Sequence, residues 1–155
     1  MSPPVPSSLF REVELGGAVI DDRFVPAGVD IGTGVYCIQH NPAYFPDPFK
    51  YIPERWTTDG PYTEEQREKM AAAFMPFSIG TRQCIGKGLA TMELMSVLAR
   101  VLWEFEFRIA DGQEGRLGEG APGMGFGRER NGEFQLYDHV VAAKNGPMLQ
   151  FRRAR

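Results

Sequence analysis

The sequence predicts an α+β fold, and three observations support this prediction. Short β-branched and aromatic runs, broken by Gly, Pro and Asp, fill residues 11–38, as β-hairpins require. Residues 86–105 carry apolar side chains at helical spacing, which makes this segment the strongest helix candidate. The chain after it is rich in glycine and ends in two more strand candidates. We therefore expect one long helix between two β-rich parts.

Composition excludes several classes of protein. With 155 residues, 43% of them hydrophobic and 24% charged, the chain has the size and composition of one globular domain. A net charge of −3 provides no overall attraction for nucleic acid, so no nucleic-acid partner is expected. The longest apolar run, residues 70–77, is far shorter than the roughly 18 residues of a membrane span, and we expect no membrane segment.

The first 43 residues are predicted to be a β-sheet region. Residues 1–10 are proline-rich and read as an extended lead-in. The runs that follow are strand candidates, with an acidic turn at Asp21 and Asp22. Cys37 falls in the apolar run "VYCI", which predicts a buried strand residue.

Residues 44–76 are predicted to be ordered but irregular, with one short helix. The segment 39–56 holds four prolines and five aromatic residues, which favours a packed loop. Thr63 and Gln66 have the spacing of a capping box ahead of good helix formers. A surface helix should therefore begin here.

The remaining chain divides into a loop, a helix and a tail. Residues 77–86 form a glycine-bounded loop, residues 87–106 the long helix, and residues 107–155 a second β region. In that tail, "EFQLYDHVV" and "GPMLQFR" are predicted to pair as a hairpin through the turn "KNG".

In the cysteine loop, residues 77–86, each specified residue has a role if Cys84 binds a metal held in a flat macrocycle. Cys84 supplies a thiolate ligand, and Gly86 opens a helix whose N-terminus carries a positive partial charge. Gly80 permits a tight turn close to a planar ligand. Arg82 offers a fork of donors for a carboxylate, and Phe77 an apolar wall beside the sulfur.

This pattern resembles the haem-binding signature of the cytochrome P-450 family, the haem-thiolate monooxygenases, and in particular its fungal members. Five specified residues in a ten-residue window occur by chance roughly once in ten million windows. "PERW", residues 53–56, looks like the family's Pro-Glu-Arg-Phe motif, and "FVPAGVDI" and "HNPAYFPDP" are similar to segments that precede it. The resemblance covers essentially residues 1–155 and is weakest after about residue 110.

The resemblance implies a role for each site residue. Cys84 would be the axial ligand to the iron of haem b, and Arg82 would pair with a haem propionate. Arg11 is similar to a further propionate-binding arginine of the family. In the family, the arginine that matches Arg55 joins a network with the Glu-x-x-Arg helix that precedes this region, and this chain has no Glu-x-x-Arg ahead of residue 53; the "EEQR" at residues 64–67 comes after it.

The resemblance further implies that the chain is the C-terminal third of the mainly-α cytochrome P-450 fold. Met1 would then be an internal methionine of a longer parent. That parent would use a small organic substrate, O2 and an NADPH-dependent reductase, at the cytoplasmic face of the endoplasmic-reticulum membrane. The location of the fragment itself is open.

Several alternatives remain open at the level of sequence. A haem-thiolate isomerase, dehydratase or peroxygenase would keep the same cysteine loop without needing a reductase. A truncated, non-catalytic remnant would bind haem weakly or not at all. A cysteine redox protein is disfavoured, because no resolving cysteine lies near Cys84 in the sequence.

Overall fold

The structure is a computed structural model of the chain that describes residues 3–154. Four helices are present in this range: α1 (Val35–Gln39), α2 (Glu64–Ala73), α3 (Lys87–Glu104) and α4 (Gly112–Gly115). The strands are β1 (Arg11–Glu12), β2 (Ala18–Ile20), β3 (Arg23–Val25), β4 (Asp30–Ile31), β5 (Phe105–Ile109), β6 (Tyr137–His139), β7 (Val141–Ala143) and β8 (Leu149–Arg153). Met1, Ser2 and Arg155 lie outside the described residues, and so do the predictions made for Met1 and for the first two residues of the lead-in.

The chain divides into two units, residues 1–76 with 138–142, and residues 77–137 with 143–155. In the first unit, β1 pairs antiparallel with β4, and β2 with β3. Asp21 and Asp22 have φ angles of 49° and 59° and form the turn of the β2–β3 hairpin. Asp tolerates this left-handed conformation better than most residues, so the predicted acidic turn is confirmed.

The prediction of a strand around Cys37 is wrong, because residues 35–39 form the short helix α1. Its buried residues are Val35 and Gln39, four positions apart, and Cys37 lies between them and is exposed. Helical spacing therefore decides which of these side chains are buried. The packing of Val35 and Gln39 in the interior outweighs the preference of "VYCI" for a strand. Both cysteines of the chain are free thiols.

The helix α2 begins where its capping box predicts. The Gln66 N–H donates to the Thr63 hydroxyl at 3.2 Å, and the Thr63 N–H donates to the Gln66 side-chain oxygen at 2.9 Å. The helix then places Met70 and Ala73 against Phe45 in the core of the first unit. This cluster anchors the irregular segment that the sequence predicts to be ordered.

In the second unit, α3 begins after Gly86 and ends at Glu104. The chain turns extended at Phe105, with φ −131° and ψ 143°, and β5 follows at once. The helix is thus two residues shorter than the predicted range 87–106. None of its 18 residues is buried. Within residues 3–154, no helix has the length and apolar character to cross a membrane.

The predicted C-terminal hairpin is wrong in its pairing. Strand β8 pairs antiparallel with β5 along five residue pairs, whereas β6 pairs with β7. The β5–β8 register stacks Phe107 opposite Phe151, with ring centroids 5.7 Å apart, and sets Glu106 against Arg152 in an ion pair. Cross-strand aromatic and charge pairs of this kind stabilise a register that a local turn signal does not reveal.

Candidate functional site

The cysteine loop is closed by backbone hydrogen bonds at the start of the second unit. The Cys84 N–H donates to the Phe77 carbonyl at 2.9 Å, and the Gln83 N–H donates to the Gly80 carbonyl at 3.1 Å. A short 3-10 turn, Gly80–Arg82, lies inside this closure. The loop is therefore a tied turn that holds Cys84 in one backbone position.

The Cys84 side chain lies at the N-terminus of α3 and is exposed. Its Sγ is 3.8 Å from the position that a Cβ on Gly86, the N-cap residue, would take. The α3 N-terminus has no side-chain cap and no acidic residue in its first turn, and Lys87 is its first residue. The N-terminus of a helix carries a positive partial charge and Lys87 adds a full one, so this end of α3 is suited to an anionic group.

Two glycines, Gly80 and Gly86, keep the loop backbone free of side chains. Gly80 has φ +77°, which only glycine adopts freely, and a Cβ there would meet nothing within 4 Å. Gly86 has an ordinary φ of −82°, so its own backbone does not demand glycine. The open space is compatible with a flat group that approaches the loop closely, and these residues fit a macrocycle bound through the thiol.

Arg82 and Phe77 belong to the same closed loop as Cys84. Arg82 ends the 3-10 turn and is exposed, and among residues 3–154 its guanidinium has no hydrogen-bond or ion-pair acceptor. It is available to an external carboxylate. Phe77 is half-buried, and its carbonyl is the acceptor that closes the loop.

Arg11 belongs to the first unit and not to the unit that holds the cysteine loop. It lies exposed on β1, and its Nη1 donates to the Phe10 carbonyl at 2.8 Å. Its predicted pairing with the same ligand as Arg82 stays a prediction.

Arg55, in the "PERW" turn, is buried with 1% of its surface exposed. Its Nη2 donates to the Asp47 carbonyl at 2.8 Å, and its Nη1 donates to the Tyr62 hydroxyl at 3.3 Å. The guanidinium carbon lies 5.7 Å from the centroid of the Tyr62 ring. Nε has no acceptor within the described residues. The charge of Arg55 is therefore buried, and two hydrogen bonds compensate part of its desolvation.

Sequence reasoning missed the apolar rim of the cysteine loop. Ile79 and Ile85 flank the turn and the cysteine and are exposed, Ile85 completely so. The signal was available, because two isoleucines in a glycine-bounded loop are unusual for a solvated turn. Within residues 3–154, no three His, Cys, Asp or Glu side chains form a site for a bare metal ion, whereas a macrocyclic iron needs only one thiolate from the loop.

Comparison with known proteins bears on the same residues. The family model described as Cytochrome P450 matches residues 1–132. The chain is 47% identical to "Cytochrome P450 monooxygenase poxM" of Penicillium oxalicum over 99% of its length and 26% of that relative. It is 46% identical to "Cytochrome P450 monooxygenase" of Gibberella zeae over 99% of the chain and 34% of the relative.

A third relative, "Cytochrome P450 monooxygenase apf8" of Gibberella fujikuroi, is 46% identical over 100% of the chain and 41% of the relative. The chain thus spans between about a quarter and two fifths of the length of these curated fungal relatives. The matched region includes the "PERW" turn, the whole cysteine loop and α3. The chain belongs to the cytochrome P450 family.

Proposed function

We propose that this chain is the haem-binding, thiolate-bearing part of a cytochrome P450 monooxygenase, with Cys84 as the axial ligand to the iron of haem b. The observation that most directly supports this proposal is a free, exposed thiol that a closed loop holds at the N-terminus of an 18-residue helix, where no side chain caps the helix. Iron held in haem by a thiolate activates O2, so that one oxygen atom enters an organic substrate.

The other loop residues have supporting roles in this proposal. Arg82, which lacks an acceptor among the described residues, binds a haem propionate through a charge-assisted hydrogen bond. Gly80 and Gly86 leave room for the macrocycle, and Phe77 shields the sulfur from water. Arg11 is the second propionate partner in the complete protein.

The activity of the complete protein is part of the same proposal. Its partners are a small organic substrate and an NADPH-dependent reductase, at the cytoplasmic face of the endoplasmic reticulum. A haem-thiolate isomerase, dehydratase or peroxygenase would share the cysteine loop, so the loop does not separate these reactions from a monooxygenase. The relatives are named monooxygenases, and that favours oxygen insertion.

A spectroscopic titration tests the ligand assignment. The purified chain is mixed with haem, reduced under carbon monoxide, and examined for the red-shifted absorption band of a thiolate-bound carbonyl. Cys84→Ser should abolish this band. Cys37→Ser, at the other exposed free thiol, should leave it intact and is the matched control.

Two results would contradict the proposal. A band that survives in Cys84→Ser would exclude Cys84 as the ligand. A folded chain that gives no band would show that this chain is a remnant that does not bind haem alone. Arg82→Gln should weaken haem binding by roughly 10- to 100-fold without moving the band, because the loss of a charge-assisted hydrogen bond leaves the sulfur in place.

A further inference from the structure

Two of the three asparagines in the chain are followed by a glycine. The pairs are Asn131–Gly132 and Asn145–Gly146, and both asparagines are exposed. The third, Asn41, precedes a proline, which has no N–H group. In an Asn–Gly pair the backbone nitrogen of the glycine can attack the side-chain amide carbon of the asparagine, since glycine has no side chain to obstruct the approach. Both pairs are therefore candidate sites of chemical change.

The reaction is a deamidation that needs only water. The glycine nitrogen loses its proton and forms a bond to Cγ of the asparagine, while the side-chain nitrogen Nδ2 takes up a proton and leaves as ammonia. Water then opens the resulting succinimide ring at either carbonyl and gives aspartate or isoaspartate. Asparagine and water are thus converted to an acid and ammonia, with no oxidation or reduction. The protein can control this reaction through the proton on the glycine nitrogen.

In the pair Asn131–Gly132, that proton is bound by a carboxylate. The Gly132 N–H donates to Oε1 of Glu119. Glu119 is fixed in turn by Arg116, whose Nε donates to Oε2 at 2.7 Å. Hydrogen bonds from Arg116 and Gly132 lower the pKa of Glu119, so the acceptor is ionised at neutral pH. A charged acceptor binds an N–H more strongly than a neutral one, which makes the Gly132 nitrogen a poorer nucleophile.

In the pair Asn145–Gly146, the structure supplies no such acceptor. The pair lies in the connection between β7 and β8. Within residues 3–154, neither the Gly146 N–H nor the Asn145 side chain has a hydrogen-bond partner. The Leu117 carbonyl oxygen lies too close to the position of a Cβ on Gly146 for any residue but glycine, yet it accepts no hydrogen bond from the Gly146 N–H. The nitrogen of this glycine is therefore the more reactive of the two.

We propose that Asn145 is a site of spontaneous deamidation through a succinimide formed with Gly146, and that the Glu119 carboxylate protects Asn131 from the same reaction. The two pairs share the Asn–Gly dipeptide and a preceding basic residue, and they differ in the acceptor that the fold provides. The preference for Asn145 is thus a property of the folded chain. It follows from hydrogen bonds within the second unit and does not depend on haem binding.

Peptide mapping of the incubated chain tests this assignment. The purified chain is kept at mildly alkaline pH, sampled over time and digested with trypsin, which cleaves after Arg130 and Lys144 and so places the two pairs on separate peptides. Mass spectrometry then measures the conversion of amide to acid in each peptide, relative to an unincubated sample. The pairs Asp59–Gly60 and Asp111–Gly112 do not interfere, because an aspartate that passes through the same ring keeps its mass.

The comparison of folded and unfolded chain isolates the effect of the structure. In the folded chain, Asn145 should be converted at least about threefold faster than Asn131, the factor that one hydrogen bond contributes. In a urea concentration that unfolds the chain, the two asparagines should react at similar rates, because the Glu119 acceptor is then lost.

Two alanine variants separate the hydrogen bond from the charge of the surrounding loop. Glu119→Ala removes the acceptor and should raise the rate at Asn131 by about 3- to 10-fold. Its rate at Asn145 should equal that of the parent chain, which shows that the unit has not loosened as a whole. Glu129→Ala is the matched control, because that carboxylate accepts from another glycine N–H of the loop at 3.0 Å. It should leave both rates unchanged.

Four results would overturn the proposal. They are the absence of conversion at Asn145, conversion of Asn131 at least as fast as that of Asn145 in the folded chain, an unchanged Asn131 rate in Glu119→Ala, or an equal rise in Glu129→Ala. A preference for Asn145 that persists undiminished in urea would also contradict it, since the local sequence and not the fold would then set the rates.

Discussion

The buried guanidinium of Arg55 makes a prediction about stability that can be worked out from its contacts. Arg55→Ala removes the 2.8 Å bond to the Asp47 carbonyl, which contributes about 1.5–3 kcal/mol as a charged hydrogen bond. It also removes the contact with the Tyr62 ring, about 0.5–1 kcal/mol. Two buried methylenes add about 1.6 kcal/mol. Loss of the unsatisfied Nε–H returns about 1–3 kcal/mol. The net expectation is a loss of about 0.5–4.5 kcal/mol, centred near 2.5 kcal/mol.

Arg55→Met should behave differently, because it keeps most of the buried stem and removes the charge. Replacing a buried charge by an apolar side chain of similar length is often neutral or stabilising. We therefore expect the free energy of unfolding of this variant to lie within about 1 kcal/mol of the parent chain. The assay is urea denaturation followed by tryptophan fluorescence, since Trp56 adjoins Arg55 and lies 5.0 Å from the Phe74 ring.

A loss of more than about 2 kcal/mol for Arg55→Met would refute this reasoning. It would show that the charged guanidinium, through its hydrogen bonds to the Asp47 carbonyl and the Tyr62 hydroxyl, stabilises the chain by more than it costs to bury. If Arg55→Ala and Arg55→Met lowered the free energy of unfolding equally, the charged group and not the stem would be the source of the stabilisation. The comparison of the two variants thus separates packing of the stem from pairing of the charge.

Two further predictions concern the turns. Gly17→Ala should destabilise the chain by at least about 2 kcal/mol, because φ is +76° and the new Cβ would meet a Phe24 ring carbon at 2.5 Å. Gly28→Ala, at φ +79° with nothing within 4 Å, should lose only about 1 kcal/mol in the same urea assay. Hydrogen bonds from Arg116 and the Gly132 N–H lower the pKa of Glu119. The ionised Glu119 carboxylate therefore contributes to the stability of the folded chain at neutral pH, and this contribution is lost as pH falls through the lowered pKa. The Gly132 amide resonance should follow this titration in NMR spectra, and a resonance that does not move with pH would contradict it.

Local patterns in the sequence predicted several features well. Thr63 and Gln66 are three residues apart and close their capping box with each other, so no distant residue is needed. The loop around Cys84 likewise combines short-range signals, because its glycines, arginine and cysteine all fall within residues 77–86. Features that depend on neighbours within a few residues are accessible from sequence because the contacts are local.

The mistaken predictions involve partners that are distant in sequence or a choice between helix and strand. The partner of Phe151 is Phe107, and no local turn signal announces it. Cys37 lies in a run with strand propensity, and the burial of Val35 and Gln39 selected a helix and left the thiol exposed. In both cases tertiary packing contributes more free energy than local preference.

The sequence by itself determined the family and predicted a mixed α+β class, because both depend on residue types at fixed spacing. Tertiary structure decided that Arg55 is buried, with one nitrogen unpaired among residues 3–154, and that Cys84 Sγ lies near the N-cap of α3. It also decided that the described part of the chain leaves every residue of α3 at least partly exposed. Burial and exposure are properties of the whole packed chain. They follow from which surfaces meet, and spacing along the sequence does not reveal that.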